Sequence, residues 1–396
     1  MKILLTADWH FDCNNRLDDF VASTEKMVNY AIDNKIKHIV IVGDMYRNWK
    51  PATVERRALH AVLAKAIFAD INVIIVMGNH DVNDKEHRFI EHALSEFMDI
   101  SSDKITLVYS KPQSVIIKDG AESHTIFMIP HLSKAYLANL HVNGPTSYKD
   151  AFVEAIKQGS DARLILSHTL VMDGIDGPVD PNSDRGLMLS DFKDFLRVPM
   201  FMGDIHKHMV LQQEPLVAYI SPPERTTFKH IDDQMGFVVY TLGDLCGYEF
   251  VPLTTRKFFQ ITFDLNKKEF RFNGVGEPVS APLDDGDRTD LIVAIIKATK
   301  EQITDSVMKM VIIGHKQDLN LLNRHSIIEH LRECNPYKII KIAFDSTDDT
   351  VARDTAFTGH MTAQDAFKMW SEKQSYEDKR LGNAVHTAGL EILNEA

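Results

Sequence analysis

The sequence has few cysteines, no long apolar run and no excess of basic residues. Its 396 residues include only Cys13, Cys246 and Cys334. An odd number of cysteines without metal-finger spacing argues against a disulfide framework and against structural zinc. No apolar stretch is long enough to span a bilayer, and no signal-peptide pattern follows the first residues. We therefore expect a cytoplasmic protein without membrane contact.

The charge balance excludes a second class of protein. The formal net charge is −12, with 44% hydrophobic and 25% charged residues. A chain of this charge cannot capture nucleic acid through its overall field, because such binding depends on neutralising phosphates with Lys and Arg. Any contact with nucleic acid would be local, metal-assisted or shared with a partner. No Walker motif is present, so ATP would have to enter through another chain.

The first 80 residues alternate β-branched runs with longer amphipathic segments. Strands are predicted over Lys2 to Thr6, Ile36 to Val42 and Asn72 to Met77, with a helix between each pair. Strands that are apolar throughout are typical of a sheet covered on both faces. Because ligands bind such sheets beyond the carboxyl ends of the strands, those ends are where functional residues are expected.

Polar motifs follow these strand ends and two later ones, near residues 166 and 202. They are TADWHFD with Asp8 and His10, VGDMYRN with Asp44, MGNHDVN with Asn79, His80 and Asp81, SHTLVMDG with His168, and GDIHKHM with Asp204, His206 and His208. Alternate residues of an extended chain point the same way, which predicts that Asp8 converges with His10. The same spacing predicts that Asp204 converges with His206. Carboxylates, imidazoles and one amide together favour a pair of divalent transition ions such as manganese.

These motifs, D-x-H, G-D, G-N-H-D, H and G-D-x-H, resemble those of the calcineurin-like metallophosphoesterase superfamily. They are most similar to the SbcD-type nuclease subunits, including phage-encoded ones. The segment YISPPERTTFKHIDDQMGFVVY, residues 219–240, is similar to the one that follows the last metal motif in that family. The resemblance implies an α/β fold: a two-sheet metallophosphoesterase sandwich flanked by helices, a small α/β capping domain and a C-terminal helical pair.

The resemblance also implies a role for each residue of the motifs. A first metal ion would be bound by Asp8, His10 and His206, and a second by Asn79, His168 and Asp204, with Asp44 bridging the two. The ions would be Mn²⁺ or Mg²⁺. His80 would be catalytic and act on the substrate phosphate. Asp81 would lie behind the metal ligands and orient a neighbouring imidazole.

Three positions leave alternatives open. The family motif G-H-x-H is Gly203-Asp204-Ile-His206 here, so Asp204 takes the place of a histidine; in the alternative frame His206 and His208 are the ligand pair. The first frame matches Gly203 and Lys207 to the family, and it makes His208 a supporting or structural residue.

Arg47 stands where many relatives have histidine, and it would either contact phosphate or be solvated. Arg225, within the segment 219–240, would contact the substrate or support the ligands.

The implied activity is hydrolysis of DNA phosphodiesters, as a 3′-to-5′ exonuclease on duplex ends and an endonuclease on single strands. The implied setting is replication, recombination and repair, with a homodimer of this chain and an SbcC-like coiled-coil ATPase forming a heterotetramer. One alternative is a phosphoesterase acting on small nucleotides or phosphoproteins. Another is a scaffold that has lost its chemistry, for which Asp204 is the only support.

Four segments are predicted: a nuclease domain (1–252), a DNA-capping domain (253–345), a linker (346–360) and a helix-loop-helix that binds the ATPase (361–396). In the second segment, KFFQITFDL, RTDLIVAIIKAT and YKIIKIAFD are predicted strands and NRHSIIEHLREC a helix. Its histidines His315, His325 and His330 are too isolated to form a site. The terminal helices carry Trp370 and Val385 on apolar faces that would need a partner.

Overall fold

The computed structural model describes residues 1–83, 93–94, 104–133, 136–137, 147–175, 186–243, 246–273, 279–282 and 287–347. Nearly all of the predicted linker, and the whole predicted helix pair of 361–396 with Trp370 and Val385, lie outside these residues.

The described chain forms strands and helices with the following bounds. The strands are β1 (Lys2–Thr6), β2 (His38–Val42), β3 (Asn72–Val76), β4 (Ile105–Val108), β5 (Gln113–Asp119), β6 (Glu122–Ile129), β7 (Leu164–His168), β8 (Met200–Gly203), β9 (Met209–Gln213), β10 (Leu216–Tyr219), β11 (Gly236–Thr241), β12 (Gly247–Pro252), β13 (Phe258–Asp264), β14 (Glu269–Asn273), β15 (Val279–Pro282), β16 (Val307–Gly314) and β17 (Lys338–Ser346). The helices are α1 (Leu17–Asp33), α2 (Thr53–Phe68), α3 (Tyr148–Gln158), α4 (Leu189–Phe192), α5 (Arg288–Ala298), α6 (Lys300–Ile303), α7 (Lys316–Leu321) and α8 (Arg324–Glu333).

Two six-stranded sheets pack face to face. Their strand orders are β12-β11-β1-β2-β3-β4 and β5-β6-β7-β8-β10-β9. Apolar side chains from both sheets, such as Leu5 and Val40 from the first and Leu164 and Phe201 from the second, form one buried cluster between them. Strand β2 is buried at every position, as its continuous apolar run predicts. The predicted two-sheet sandwich is therefore confirmed.

Helices cover the outer faces of the sandwich. On the first sheet, Phe20 and Met27 of α1 and Leu59 of α2 pack against Ile39 of β2. On the second sheet, Phe152 of α3 belongs to another buried cluster with residues of β7 and β8. The central strands of each sheet are thus buried on both faces, so functional polar side chains are expected at the strand ends.

A third sheet, in the order β15-β14-β13-β16-β17, forms a separate α/β layer with α5 to α8. The prediction of a strand over RTDLIVAIIKAT is wrong, because these residues form helix α5. The Asp287 side chain caps this helix by accepting hydrogen bonds from the backbone N–H groups of Thr289 and Asp290. Ile292 and Ile296 then lie one turn apart on its buried face. The predicted boundaries at residues 252 and 345 stay predictions.

The carboxyl ends of β1, β2, β3, β7 and β8 meet at one edge of the sandwich. The loops after β1 and β2 are joined by backbone hydrogen bonds from Asp8 N to Gly43 O (3.0 Å) and from His10 N to Asp44 O (2.9 Å). In the second sheet, His168 at the end of β7 pairs in register with Gly203 at the end of β8. The five polar motifs therefore converge on one region.

Candidate metal centre

Four of the predicted ligands have a left-handed backbone. The φ angles are 56° at Asp8, 46° at His10, 55° at Asp44 and 97° at Asp204. Non-glycine residues seldom adopt this conformation, which costs about 1–3 kcal/mol each and collects at functional sites. Tight turns, rather than the alternation of an extended chain, bring Asp8 and His10 together, which corrects the predicted cause of their convergence.

Glycines precede two of these ligand loops because the loops approach other side chains closely. A Cβ added at Gly43 would lie 2.0 Å from His168 Nδ1, and one at Gly78 would lie 2.1 Å from Asp44 Oδ1. Gly43 also has a φ of 85°. Neither position could hold a side chain without displacing a predicted ligand.

Asp8, His10 and His206 form what we call the first ligand group. One ligand atom of each lies within 4.8 Å of the others. His10 Nε2 is 2.9 Å from His206 Nε2, and Asp8 Oδ1 is 3.9 Å from His206 Nε2. His206 is oriented through a 2.9 Å hydrogen bond between Nδ1 and Thr226 Oγ1, whereas the buried Nδ1 of His10 has no hydrogen-bond partner among the described residues.

Asn79, His168 and Asp204 form the second ligand group. His168 Nε2 lies 2.9 Å from Asn79 Oδ1 and 3.7 Å from Asp204 Oδ1. His168 Nδ1 donates a hydrogen bond to the Val42 carbonyl at 2.8 Å, so the other ring nitrogen faces the group. Asp204 faces His168, while the His206 ring lies beside that of His10, so the two residues reach different ligand groups. Both line one groove, and their convergence on one spot stays a prediction.

Asp44 lies between the two groups and reaches both. Its Oδ2 is 3.4 Å from His10 Nε2, and its Oδ1 is 3.4 Å from His168 Nε2. The Asp44 carboxylate is almost fully buried, and its Oδ1 also accepts a hydrogen bond from the backbone N–H of His80 at 2.9 Å. One carboxylate with an oxygen toward each group has the geometry of a bridging ligand.

The electrostatics of the cluster fit bound cations. Burial raises the pKa of Asp8 well above its usual value and also raises the pKa of Asp204. Burial lowers the pKa of His10, and that of His206 to about 4, so both imidazoles are neutral at pH 7 with lone pairs for a metal. Buried carboxylates beside neutral imidazoles leave negative charge in a low dielectric, which divalent ions would neutralise.

His168 behaves differently from the histidines of the first group. Burial lowers its pKa, but the carboxylates of Asp44, Asp8 and Asp204 outweigh that effect and hold it well above the ordinary value. Burial would likewise raise the pKa of Asp44, yet the imidazoles of His168 and His10 lower it. His168 Nε2 faces the carboxylates of Asp44 and Asp204, at the point where a cation would bind.

His80 stands at the open side of the cluster, with 35% of its side chain exposed. Its Nδ1 donates a hydrogen bond to the Arg47 carbonyl at 2.9 Å, and its Nε2 lies 3.9 Å from Asp44 Oδ2. His80 also forms a compact group with His10 and Asp44 that could hold an ion, so geometry permits either a ligand or a substrate-facing role. The backbone carbonyl of the exposed Arg47 therefore orients the His80 ring.

The hydrogen-bond partners of the Asp81 carboxylate differ from the imidazole that was predicted. Its fully buried carboxylate accepts hydrogen bonds from the backbone N–H groups of Asp44 (2.9 Å), Met45 (3.0 Å), Tyr46 (3.5 Å) and Gly78 (3.0 Å). It holds two ligand loops together through their main chains, which corrects the prediction that it orients an imidazole.

His208 lies apart from both ligand groups. Its Nδ1 donates to the Tyr219 carbonyl at 2.8 Å, and its ring stacks on Phe250 with a centroid distance of 4.4 Å. This packing agrees with the frame that pairs Asp204 with His206 in the motif and makes His208 structural.

The Arg225 side chain is buried and forms hydrogen bonds within the protein, which favours the supporting one of its two predicted roles. Its guanidinium donates to the carbonyls of His230 (2.7 Å) and Asp233 (2.6 Å) and to Thr255 Oγ1 (3.1 Å). Through these hydrogen bonds Arg225 fixes the chain that surrounds it.

Sequence reasoning missed two features beside the cluster. His131, just after β6, lines a small cavity with Asn79, His168 and Asp204. Its signal was the pattern of a strand followed by a histidine, which recurs here in MIPH. Lys229 lies in a second depression next to Asp204. No spacing rule connects it to the strand ends.

Comparison with known proteins identifies the family. Calcineurin-like phosphoesterases match residues 1–208, more than half of the 396. The chain belongs to the calcineurin-like phosphoesterase family. This assignment makes it a member of a family of phosphoesterases that bind divalent metals, in agreement with the two ligand groups.

Two relatives carry the name DNA double-strand break repair protein Mre11. The Thermoplasma acidophilum protein is 23% identical over 215 residues, which cover 53% of this chain and 52% of the relative. The Methanosarcina acetivorans protein is 20% identical over 379 residues, covering 89% of this chain and 54% of the relative. The chain thus spans about half the length of the curated relatives it matches.

Solved structures with similar chains include two with descriptive names. A dimetal phosphatase from Danio rerio has a TM-score of 0.38 and 13% identity, covering 72% of this chain and 99% of its own. The nuclease MPE from Pseudomonas putida has a TM-score of 0.28 and 12% identity, covering 63% of this chain and 87% of its own.

Among the described residues, none of the helices combines the length and the apolar character needed to cross a bilayer.

Proposed function

We propose that this protein is a metal-dependent DNA phosphodiesterase and the nuclease subunit of a complex with an SbcC-like coiled-coil ATPase. The observation that carries the proposal is the position of Asp44, which has one oxygen toward His10 and the other toward His168. A carboxylate shared by two ligand groups supports two divalent ions, with Mn²⁺ as the proposed metal. The first ion would be held by Asp8, His10 and His206, and the second by Asn79, His168 and Asp204.

The residues of the site fit in-line hydrolysis at phosphorus. When bound, two divalent ions supply an activated water and neutralise charge on the phosphate oxygens. His80 presents Nε2 on the open side, because its Nδ1 is bonded to the Arg47 carbonyl. A proton on that Nε2 can be donated to the departing sugar oxygen. Asp81 keeps the loops of Asp44 and Gly78 together, so that both ligand groups hold their spacing.

DNA is the proposed substrate because both relatives are named for DNA double-strand break repair. One of these similarities extends over 89% of this chain, well beyond the residues that match the family. We propose 3′-to-5′ exonuclease activity on duplex ends and endonuclease activity on single strands. The third sheet, within residues 253–345, is proposed as a DNA-capping domain, and the complex as a heterotetramer in the cytoplasm.

Nuclease assays with matched substrates test the proposal. Linear duplex DNA, circular single-stranded DNA, bis(p-nitrophenyl) phosphate and cyclic nucleotides would each be incubated with Mn²⁺ or with EDTA. We expect both DNA substrates to be degraded with Mn²⁺ alone, and Asp44→Asn, purified in parallel, to be inactive, which excludes a contaminating nuclease. Hydrolysis of cyclic nucleotides without any cleavage of DNA would contradict the proposal and support a small-molecule phosphoesterase.

The proposed partner contact is tested by deleting residues 361–396. The five metal motifs lie before residue 210, so the truncated chain should still cleave DNA with Mn²⁺. It should no longer co-purify with an SbcC-like ATPase, and Trp370→Ala combined with Val385→Asp should reproduce that loss. A large fall in melting temperature together with loss of cleavage would instead show that these residues belong to the core of the nuclease.

A further inference from the structure

A groove opens directly beside the metal centre. It has a volume of about 470 Å³, and its lining includes Asp204, His206, Lys207, Lys229, His230 and Asp233. The groove therefore borders one residue of each ligand group and also carries two lysines. A small phosphate ester held at the metal centre would leave this space unused.

Two lysines of the groove are placed where they can meet an anion. Lys229 is exposed, and it makes no hydrogen bond or ion pair with any residue that the structure describes. Lys207 Nζ lies 3.5 Å from Asp233 Oδ1 in a partly exposed pair, and Asp233 also accepts a 2.8 Å hydrogen bond from His230. Exposed ion pairs contribute little to stability, so Lys207 can exchange its carboxylate for a phosphate.

One wall of the groove is fixed from within. Arg225 donates hydrogen bonds to the carbonyls of His230 and Asp233, at 2.7 and 2.6 Å. Thr226, the next residue, is bonded to His206 Nδ1 at 2.9 Å. The segment that carries Lys229 is therefore anchored to a residue of the first ligand group.

The same wall rests on the third sheet. The ring of Phe228 packs on that of Phe258, with a centroid distance of 4.8 Å. Ile231, Phe258 and Val307 form a small buried cluster next to it. The chain on either side of Lys229 is therefore held in place, by the Thr226 hydrogen bond to His206 and by the packing of Phe228 on Phe258.

We propose that this groove holds one strand of nucleic acid next to the scissile phosphate, and that Lys207 and Lys229 bind phosphates of that strand. The inference rests on the proposed function and names its substrate as a polynucleotide strand. A chain with a net charge of −12 repels nucleic acid at long range, so local cations at the centre have to hold the strand. A groove of about 470 Å³ has room for nucleotides of a single strand, whose phosphates lysines along the groove can follow.

Binding and cleavage measured separately test the inference. Fluorescence anisotropy in EDTA would follow a labelled single-stranded oligonucleotide, with the wild type, Lys207→Ala/Lys229→Ala and Lys193→Ala compared at several salt concentrations. Lys193 is an exposed lysine after α4 that does not line the groove. Kinetics with Mn²⁺ would compare single-stranded DNA with bis(p-nitrophenyl) phosphate.

We expect the double variant to bind the oligonucleotide at least tenfold more weakly than either control. The slope of log Kd against log salt should fall by about 1.4, the value for two phosphate contacts on a single strand. Its KM for DNA should rise, while kcat and KM for the small diester stay within twofold of the wild type.

Two results would overturn the inference. The first is that the double variant binds the oligonucleotide with the same affinity and salt slope as Lys193→Ala. The second is that the double variant loses as much activity on the small diester as on DNA, which would place the lysines at the reacting phosphate. A wild type that binds the oligonucleotide through these lysines but never cleaves DNA would support the groove and contradict the proposed function.

Discussion

The two ligand groups differ in their donors and in their readiness to bind a metal. The first group has two imidazoles and the carboxylate of Asp8, which is fully buried. The second has one imidazole, an amide and the carboxylate of Asp204, whose side chain is 20% exposed. Burial keeps His10 and His206 neutral, whereas surrounding carboxylates keep a proton on His168.

This difference teaches that one centre can contain two unequal sites. The nitrogen-rich first group favours a transition ion, and its two imidazoles are already neutral at pH 7. The second group must exchange the His168 proton for its ion, so its affinity depends on pH. We therefore expect the two ions to bind in sequence, the first group filling before the second. The two groups are not fully independent, because Asp44 reaches both.

The largest effect is expected from Asp44→Asn. This substitution should weaken metal binding at both ligand groups and so remove the difference between them. The amide keeps the shape but loses the charge that each group shares, so titration calorimetry should detect neither ion at concentrations that saturate the wild type. Activity should fall by at least about 10³-fold, since two-metal stabilisation contributes several kcal/mol. Retention of one tight ion would show that Asp44 belongs to a single group.

His80→Ala should spare both groups while removing most of the activity. A positioned proton donor contributes about 10²- to 10⁴-fold to the rate, so kcat should fall within that range. Calorimetry should still count two ions. Loss of an ion would mean that His80 completes a site with His10 and Asp44, with which it forms a compact group.

Asp204→Ala should separate the groups by weakening only the second ion. Removing one ligand should lower its affinity about 10- to 100-fold, while Asp204→His should retain activity because it restores the motif of the family. His208→Ala is the matched control, since that ring packs on Phe250 away from the ligands. If His208→Ala abolished activity and Asp204→Ala had no effect, the alternative frame, in which His206 and His208 are the ligand pair, would be correct.

The smallest effect is the number of protons released on metal binding. Loading the second group should release the proton of the His168 imidazole, whereas the neutral imidazoles of the first group have none to release. As pH falls, the second ion should be lost at a higher pH than the first, because the pKa of His168 is raised and those of His10 and His206 are lowered. Calorimetry in buffers of different ionisation enthalpy measures this, and equal proton release would contradict the comparison.

Much of the fold, and the meeting of the five polar motifs at one edge, could be predicted from sequence because strand ends are local signals. Apolar runs followed by Gly-Asp or Gly-Asn-His-Asp marked both the strands and the edge where they meet. Helix α5 was missed because Leu-Ile-Val-Ala-Ile-Ile has the composition of a strand. Its state is decided by the cap at Asp287 and by burial of one face on the third sheet.

The partners of polar residues could not be predicted, because they depend on contacts between distant segments. Asp81 binds backbone amides some 36 residues away, and Arg225 binds carbonyls of its own loop together with Thr255. The pairing of Asp204 with His168 depends on the turn after β8, where Asp204 has a φ of 97°. Motif order identifies candidates for a site, and tertiary packing decides which of them meet.

The central claim is that Asp44 joins two separate metal sites. An anomalous difference map from crystals soaked in Mn²⁺ tests it most directly. We predict two peaks that share Asp44, one bounded by Asp8, His10 and His206 and the other by Asn79, His168 and Asp204. A single peak, or a second peak bound to His208 instead of Asp204, would contradict it.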